Sequence, residues 1–275
     1  MLSPRLLLIF AAILAVVIPV AEAEEQPTQP VDSAERILEL ARKYEFFADA
    51  DHKTPLLLKP EPLLRYSNPV RGDVYGNVFV WTWQGRPEIV GAIFDFRSEG
   101  KLDTGLHALS RPGIAGCRGG KEFWNPPAAG VVFRPVPRAP TPATTNTARR
   151  RQMGELARGF TVERNHPEQL TGEMRLLPQP IYRYSCASAK VVDGGLFVFA
   201  EATDPEAYLL LEATDGDDSQ WRYALARMNI VEFRGRYQGE EVWHVDAVDW
   251  DTVFDQHEPY AIVRESPQRG LVRRR

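Results

Sequence analysis

Cysteine is nearly absent. Cys117 and Cys186 are the only two in 275 residues, which excludes a disulfide scaffold and any cysteine-rich metal centre. Two readings of the pair stay open: a Cys117–Cys186 bridge, or two free buried thiols. Long apolar runs are missing beyond residue 20, so no later segment is expected to span a membrane. Excess positive charge is missing too. With 33 Lys and Arg against 37 Asp and Glu, the net charge is −4, a poor footprint for nucleic acid. The short basic runs at 148–152 and 271–275 read as solvated segments. There is no Walker-type glycine loop, no dinucleotide fingerprint, and no nucleophile elbow around Ser67 or Ser185. The acidic stretch Asp215–Ser219 lacks the spacing and terminal glutamate of an EF-hand, and reads as a hairpin turn. Arg71-Gly72-Asp73 is too short to carry an adhesion argument.

What is present begins with the first 23 residues. Arg5 precedes an apolar run from Leu6 to Val20, and Ala21-Glu22-Ala23 supplies small residues where a signal peptidase reads. The run is about 15 residues long, short of the roughly 20 that cross a bilayer. The expectation is a signal peptide over 1–23, cleavage after Ala23, and a periplasmic or extracellular product with no membrane span. With 44% hydrophobic residues, such a chain can build a real core.

The second positive feature is an internal echo. "LLRYSNPVRGDVYGNVFVW" at 63–81 is answered by "IYRYSCASAKVVDGGLFVF" at 181–199. An offset of 118 sets Arg65 against Arg183, Tyr66 against Tyr184, Gly76 against Gly194 and Glu88 against Glu206. "ILELARKY" at 37–44 answers "MGELARGF" at 153–160 with offset 116, and "HAL" at 107–109 is set against "YAL" at 223–225 at the same offset. On that register His107 falls opposite Tyr223, and "VVF" at 131–133 is set against "VWH" at 242–244, which places His244 opposite Phe133. A period this long indicates duplication of a whole domain rather than a solenoid.

Each copy reads as one helix followed by antiparallel strands. Asp32 or Ser33 can cap a helix whose apolar positions Ile37, Leu38, Leu40, Ala41, Tyr44 and Phe47 follow helical spacing, and Met153, Leu156, Ala157 and Phe160 do so in the second copy. Strands follow around 63–67, 77–83 and 89–96, with partners at 181–185, 195–201 and 207–213. Fourth strands are expected at 104–110 and 220–228, and fifth strands near 130–134 and 240–248. Along the long strand Phe79, Trp81 and Trp83 share one face while Val78, Val80 and Thr82 share the other. The aromatic stripe reads as core, with Trp83 alone a candidate for exposure. The expected fold class is α+β, a tandem duplication with four to five strands per unit, packed pseudo-symmetrically. Boundaries are placed at 31–133 for the first unit, 134–147 for a Pro/Thr-rich linker, 148–258 for the second unit and 259–275 for a tail.

The strings "LLRYSNP", "LLPQPIYRYS", "DGGLFVFAEATDPE" and "YALARM" resemble an uncharacterised family of exported proteins of planctomycete-type bacteria, over most of the mature chain. That resemblance implies export and shared ancestry, and it carries over no activity, cofactor or site residue.

Among ionisable residues, "VWHVDAVDWDTVFDQHE" at 242–258 stands out. His244 and Asp246 would share a strand face, and both types serve in metal ligation and acid/base work. They are the weak catalytic candidates, with Asp249, Asp251, Asp255 and His257 nearby, although the spacing matches no specific metal motif. Arg65, Arg183, Glu88 and Glu206, repeated in both copies, are expected to form ion pairs between first strand and hairpin turn. Glu39–Arg42 and Glu155–Arg158 are expected as surface pairs on the helices. No cofactor is implied. The function expected is that of a non-catalytic binding or scaffold protein with a protein or cell-envelope partner; the alternative is a hydrolase or metal-dependent enzyme built on His244 and Asp246.

Overall fold

The computed structural model describes residues 29–68, 73–166 and 169–265. The signal-peptide assignment and the Arg71-Gly72 positions lie outside these residues. The architecture is mixed helix and antiparallel sheet, with two helices, α1 (Val31–Lys43) and α2 (Asn146–Ala157).

Two six-stranded sheets form the centre. In sheet I the order is Tyr260–Arg264, Lys101–Ala108, Arg86–Phe96, Val74–Trp83 and Leu57–Leu58, with Leu64–Ser67 also paired to Val74–Trp83. In sheet II the order is Arg134–Pro135, Trp221–Arg227, Asp204–Thr214, Val191–Glu201 and Arg175–Leu176, with Tyr182–Cys186 also on Val191–Glu201. The strand near 130–134 is thus reduced to Arg134–Pro135, and it lies in the stretch assigned above to a linker. Residues 259–275, assigned to a tail, contribute Tyr260–Arg264 to the edge of sheet I. Two smaller sheets were not anticipated as such: Tyr44–Phe47, Ala115–Arg118 and Lys121–Trp124, and Gln169–Glu173, Phe160–His166, Glu232–Tyr237 and Glu240–Val245.

Strand alternation sorts the core into three main clusters. Phe79 and Trp81 point to one side of sheet I and pack with Ile37 and Leu40 of α1 and with Phe46 and Trp124 of the three-stranded sheet. Val78 and Val80 point to the other side, into a cluster shared with Leu196, Val198, Tyr208 and Leu210 of sheet II. Beyond sheet II, Phe197 and Phe199 pack with Met153 and Leu156 of α2 and Phe233 of the four-stranded sheet. The result is four layers, with the two long sheets face to face and one helix on each outer side. A long strand apolar on both faces needs that arrangement, because an uncovered face would leave a large apolar patch. Trp83 is not free at the strand end; the Arg111 guanidinium stacks 4.4 Å from its ring.

Each helix is tethered to its sheet by a buried carboxylate. Arg36 of α1 donates to Asp95 at 3.0 Å, and Arg149 of α2 lies 3.4 Å from Asp193. Capping differs from expectation. Pro30 precedes α1 and gives no side-chain cap, while Asp32 accepts instead from Arg97 at 2.7 Å. Helix α1 also ends sooner, because the chain turns extended at Tyr44, so Tyr44 and Phe47 belong to a strand. Likewise Phe160 begins a strand after α2. The helix-surface pairs are Lys43–Glu39 and Arg151–Glu155 at four residues' spacing, not the three-residue pairs expected. The Asp215–Ser219 stretch is an exposed hairpin connection.

The repeated tyrosine–glycine pairing has a steric cause. Tyr66 lies across the strand from Gly76 and Tyr184 from Gly194. Each ring lies flat over its glycine, so a Cβ on Gly194 would sit 2.5 Å from the Tyr184 ring, and one on Gly76 would overlap Tyr66. We expect Gly76→Ala and Gly194→Ala each to destabilise by about 1–3 kcal/mol, the usual cost of overpacking a core. Urea unfolding of the two variants checks this; midpoints equal to the native one would refute the steric account.

Candidate functional site

His244 sits on Glu240–Val245, paired antiparallel with Glu232–Tyr237 so that it lies opposite Arg234. Its Nε2 is 3.2 Å from Glu232 Oε1 and 3.7 Å from Asp246 Oδ1. The imidazole is 37% exposed and the Asp246 carboxylate 95% exposed. Arg234 and Asn165 donate to Glu232 and hold its carboxyl below the usual glutamate range. His244 does line a groove, of about 380 Å³, together with Tyr223, Trp243, Val131 and Val132. Phe133, its expected counterpart, lies in no strand; it is half-buried between the guanidinium groups of Arg86 and Arg222, at 5.0 and 4.9 Å.

The other acidic candidates are turn formers. Asp249 caps the turn to Thr252, and Asp255 accepts from the His257 backbone amide at 2.9 Å. Trp250, 51% exposed, and Phe254 share the Arg264 guanidinium at 5.0 and 4.2 Å. Among the described residues no group of three or more His, Cys, Asp or Glu side chains gathers around one point that would hold a metal ion.

The cysteines are free buried thiols, not a bridge. Cys117 belongs to the three-stranded sheet, flanked across the strands by Glu45 and Glu122. Burial, then those two carboxylates, pushes its thiol up, the opposite of what an activated nucleophile needs. Cys186 packs in a separate small cluster with Tyr184 and Val191.

Buried charge concentrates between the two long sheets instead. Glu212 is fully buried and accepts from Arg86 at 2.7 and 3.2 Å, from Arg222 at 2.8 Å and from the Tyr184 hydroxyl at 2.9 Å. Arg86 also contacts Glu88 and Ser110, and Ser110 donates to Glu88 at 2.9 Å. Burial raises the Glu88 carboxyl, and Arg86, Ser110 and Arg111 only partly offset it. Burial alone would lower the Arg86 guanidinium, but Glu212 overrides it and holds Arg86 charged.

These contacts replace the ion pairs expected from sequence. Arg183 donates to Asp193 at 2.7 and 2.8 Å rather than reaching Glu206, because it lies opposite Gly195 while Glu206 sits at the bulge near the far end of Val191–Glu201. Glu206 accepts from Asn229 at 2.7 Å and lies 3.6 Å from Arg164. Glu88 is met by Arg86, Ser110 and Arg111, not Arg65.

Two buried groups titrate away from their ordinary values, in opposite directions. Burial, aided by Asp204, pushes the Glu206 carboxyl up to about 7 from 4.5. Burial pushes the His107 imidazole down to about 4 from 6.5; its Nδ1–H donates to the Ala108 carbonyl at 2.6 Å, and Arg227 adds repulsion. For Glu206 the folded state holds the proton more tightly, so its contribution is present below pH 4.5 and lost as pH rises through 7. For His107 the neutral ring is favoured, so its contribution is present above pH 6.5 and lost as pH falls through 4. Each window is worth about 3 kcal/mol, and between pH 4.5 and 6.5 the two slopes cancel. Glu206→Gln should therefore gain stability relative to the native chain as pH rises from 4.5 to 7, and His107→Asn relative stability as pH falls from 6.5 to 4. Urea titrations across that range check both; parallel curves for native and variants would refute the assignment.

Comparison with protein-family models, with curated proteins and with solved structures gives no match.

Proposed function

We propose that the chain is an exported, non-catalytic binding or scaffold protein made of two copies of one α+β unit. What supports it is reciprocity between the long sheets. The Thr203 hydroxyl of the sheet II hairpin turn donates to the Ser67 carbonyl at 2.6 Å, and the equivalent sheet I turn presents Gly85 to the Ser185 carbonyl and accepts from Tyr182 at 2.9 Å. Ser67 and Ser185, and Gly85 and Thr203, stand at the same 118-residue offset, so each hairpin docks on the other's first strand, as in an isologous dimer. The matching strand order of the two sheets supports the same reading. It also corrects one register: Ile93 pairs with Thr104 and Leu211 with Tyr223, so Thr104 rather than His107 answers Tyr223.

The buried Arg86–Glu212 pair is thereby committed to joining the halves, and the concave surfaces lie on the outer layers, where a partner can reach them. Mature protein is expected to begin at Glu24, as N-terminal sequencing would read; a retained Met1 in the membrane fraction would refute cleavage. The function is tested by affinity capture from a cell-envelope extract on immobilised mature protein. Stoichiometric retention of a partner is expected. Retention of nothing, together with a hydrolytic activity lost in His244→Ala, would favour the second reading, which rests on His244 beside Glu232 and Asp246 at a groove rim.

A further inference from the structure

We infer that the groove between α2 and the Pro178–Pro180 segment binds an acidic, extended polypeptide segment of a protein partner; this rests on the binding-protein reading and names the partner's chemistry. The groove encloses about 310 Å³, floored by Met153 and Phe197 and walled by Arg150, Arg151 and Arg158. No acidic residue lines it. Two other grooves mix charges: one pairs Arg36, Lys43 and Arg118 with Glu39 and Glu265, the other sets Arg134 and His244 beside Glu241. In a chain of net charge −4, an acid-free cleft with three guanidinium groups is a segregated feature, complementary to a negative ligand.

The arginines are not explained by the fold. Arg149 is, since it reaches Asp193 and the carbonyls of Ala143 and Thr144. Arg151 has only the exposed pair with Glu155. The side chains of Arg150 and Arg158 make no hydrogen bond or ion pair among the described residues.

Gly154 is the second, independent observation. It lies inside α2 and lines the groove, and glycine in a helix interior is unfavourable. A Cβ there would meet only Arg158 Nη1, at 3.8 Å, an ordinary contact. Nothing within the chain requires the missing side chain, and a bound backbone passing over the helix would.

Spacing selects the occupant. Arg150 and Arg158 are eight residues apart on a helical rise, about 12 Å along the axis, which sets two cationic side chains at separate points along the groove. An extended chain covers that in about four residues. Two carboxylates four positions apart would each meet a guanidinium in the geometry arginine favours, with an apolar side chain between them resting on Met153 and Phe197.

The test uses full-length mature protein and fluorescence anisotropy with a labelled peptide carrying two glutamates four positions apart around a leucine, beside its glutamine counterpart. The acidic peptide should bind at least tenfold more tightly, and weaken as salt rises. Arg150→Glu with Arg158→Glu, and separately Gly154→Leu, should each reduce binding tenfold or more, while the urea midpoint of Gly154→Leu stays at or above the native one. Equal binding of both peptides, or binding indifferent to these variants, would overturn the proposal. So would sedimentation with anionic phospholipid vesicles that depends on the same arginines, since a membrane would then be the occupant. A captured partner retained equally by native and charge-reversed protein would sink the groove alone and leave the binding reading standing; no partner and no peptide binding would sink both.

Discussion

Residues 29–146 and 147–265, produced as separate chains, are each expected to aggregate, and to form one soluble complex when co-expressed. The cut removes from each sheet a strand supplied by the other half of the chain. Sheet I loses Tyr260–Arg264, which pairs along five residues from Asp103 to His107. Sheet II loses Arg134–Pro135 and with it Val136, which is buried against the α2 side of the core and donates to the Trp221 carbonyl at 2.9 Å. Exposed sheet edges template association. Each fragment would also bare its share of the cluster between the sheets, including Val78, Val80 and Val90 on one side and Leu196, Val198 and Leu210 on the other, a patch larger than soluble monomers tolerate. Co-expression restores both edges and both faces. Size-exclusion chromatography and thermal melts decide the matter. Two monomeric fragments that unfold cooperatively and ignore each other would refute the interlocked reading.

The long hairpins were legible because their signal is local. Alternation in "VFVWTW" and "LFVFA" sorts Phe79, Trp81, Phe197 and Phe199 from Val78, Val80, Leu196 and Val198, and the core follows that sorting. Edge strands were not legible. Arg134–Pro135 sits among prolines and pairs over only two residues, so its conformation is set by the neighbouring strand rather than by its own pattern. Tyr260–Arg264 is short and distant in sequence from its partner, which no local periodicity reports. The candidate site was read from the densest run of His and Asp; past His244, which lies on a strand, that run is turn-forming and mostly exposed. The charges that matter to the fold were quieter. Glu212 is a single acid inside "AYLLLEA", a stretch otherwise without charge, and its burial demands a partner. Arg86 directly follows the Gln84-Gly85 turn. A lone charge in an apolar strand was the available signal, but the partner's identity required the sheet-to-sheet packing.

Glu212→Ala is expected to cost about 3–5 kcal/mol, the range for removing one partner of a buried ion pair. The carboxylate is the hub of its network, receiving Arg86 from sheet I and Arg222 and Tyr184 from sheet II. Its loss leaves the Arg86 guanidinium buried with only Glu88, Ser110 and the Phe133 face, and the Tyr184 hydroxyl loses its acceptor. Arg222 suffers less, because its side chain is 27% exposed and can turn to water. Against a total stability of about 5–15 kcal/mol for a folded chain, that loss takes a large share. The double variant Arg86→Met with Glu212→Leu removes both charges together and fills the space, so it should lose less than Glu212→Ala alone. Urea unfolding of Glu212→Ala, Arg86→Met and the double variant completes the cycle. If the single effects simply add, or if Glu212→Ala falls below about 1 kcal/mol, the typical effect of an unremarkable substitution, the buried charges are not what holds the two sheets in register.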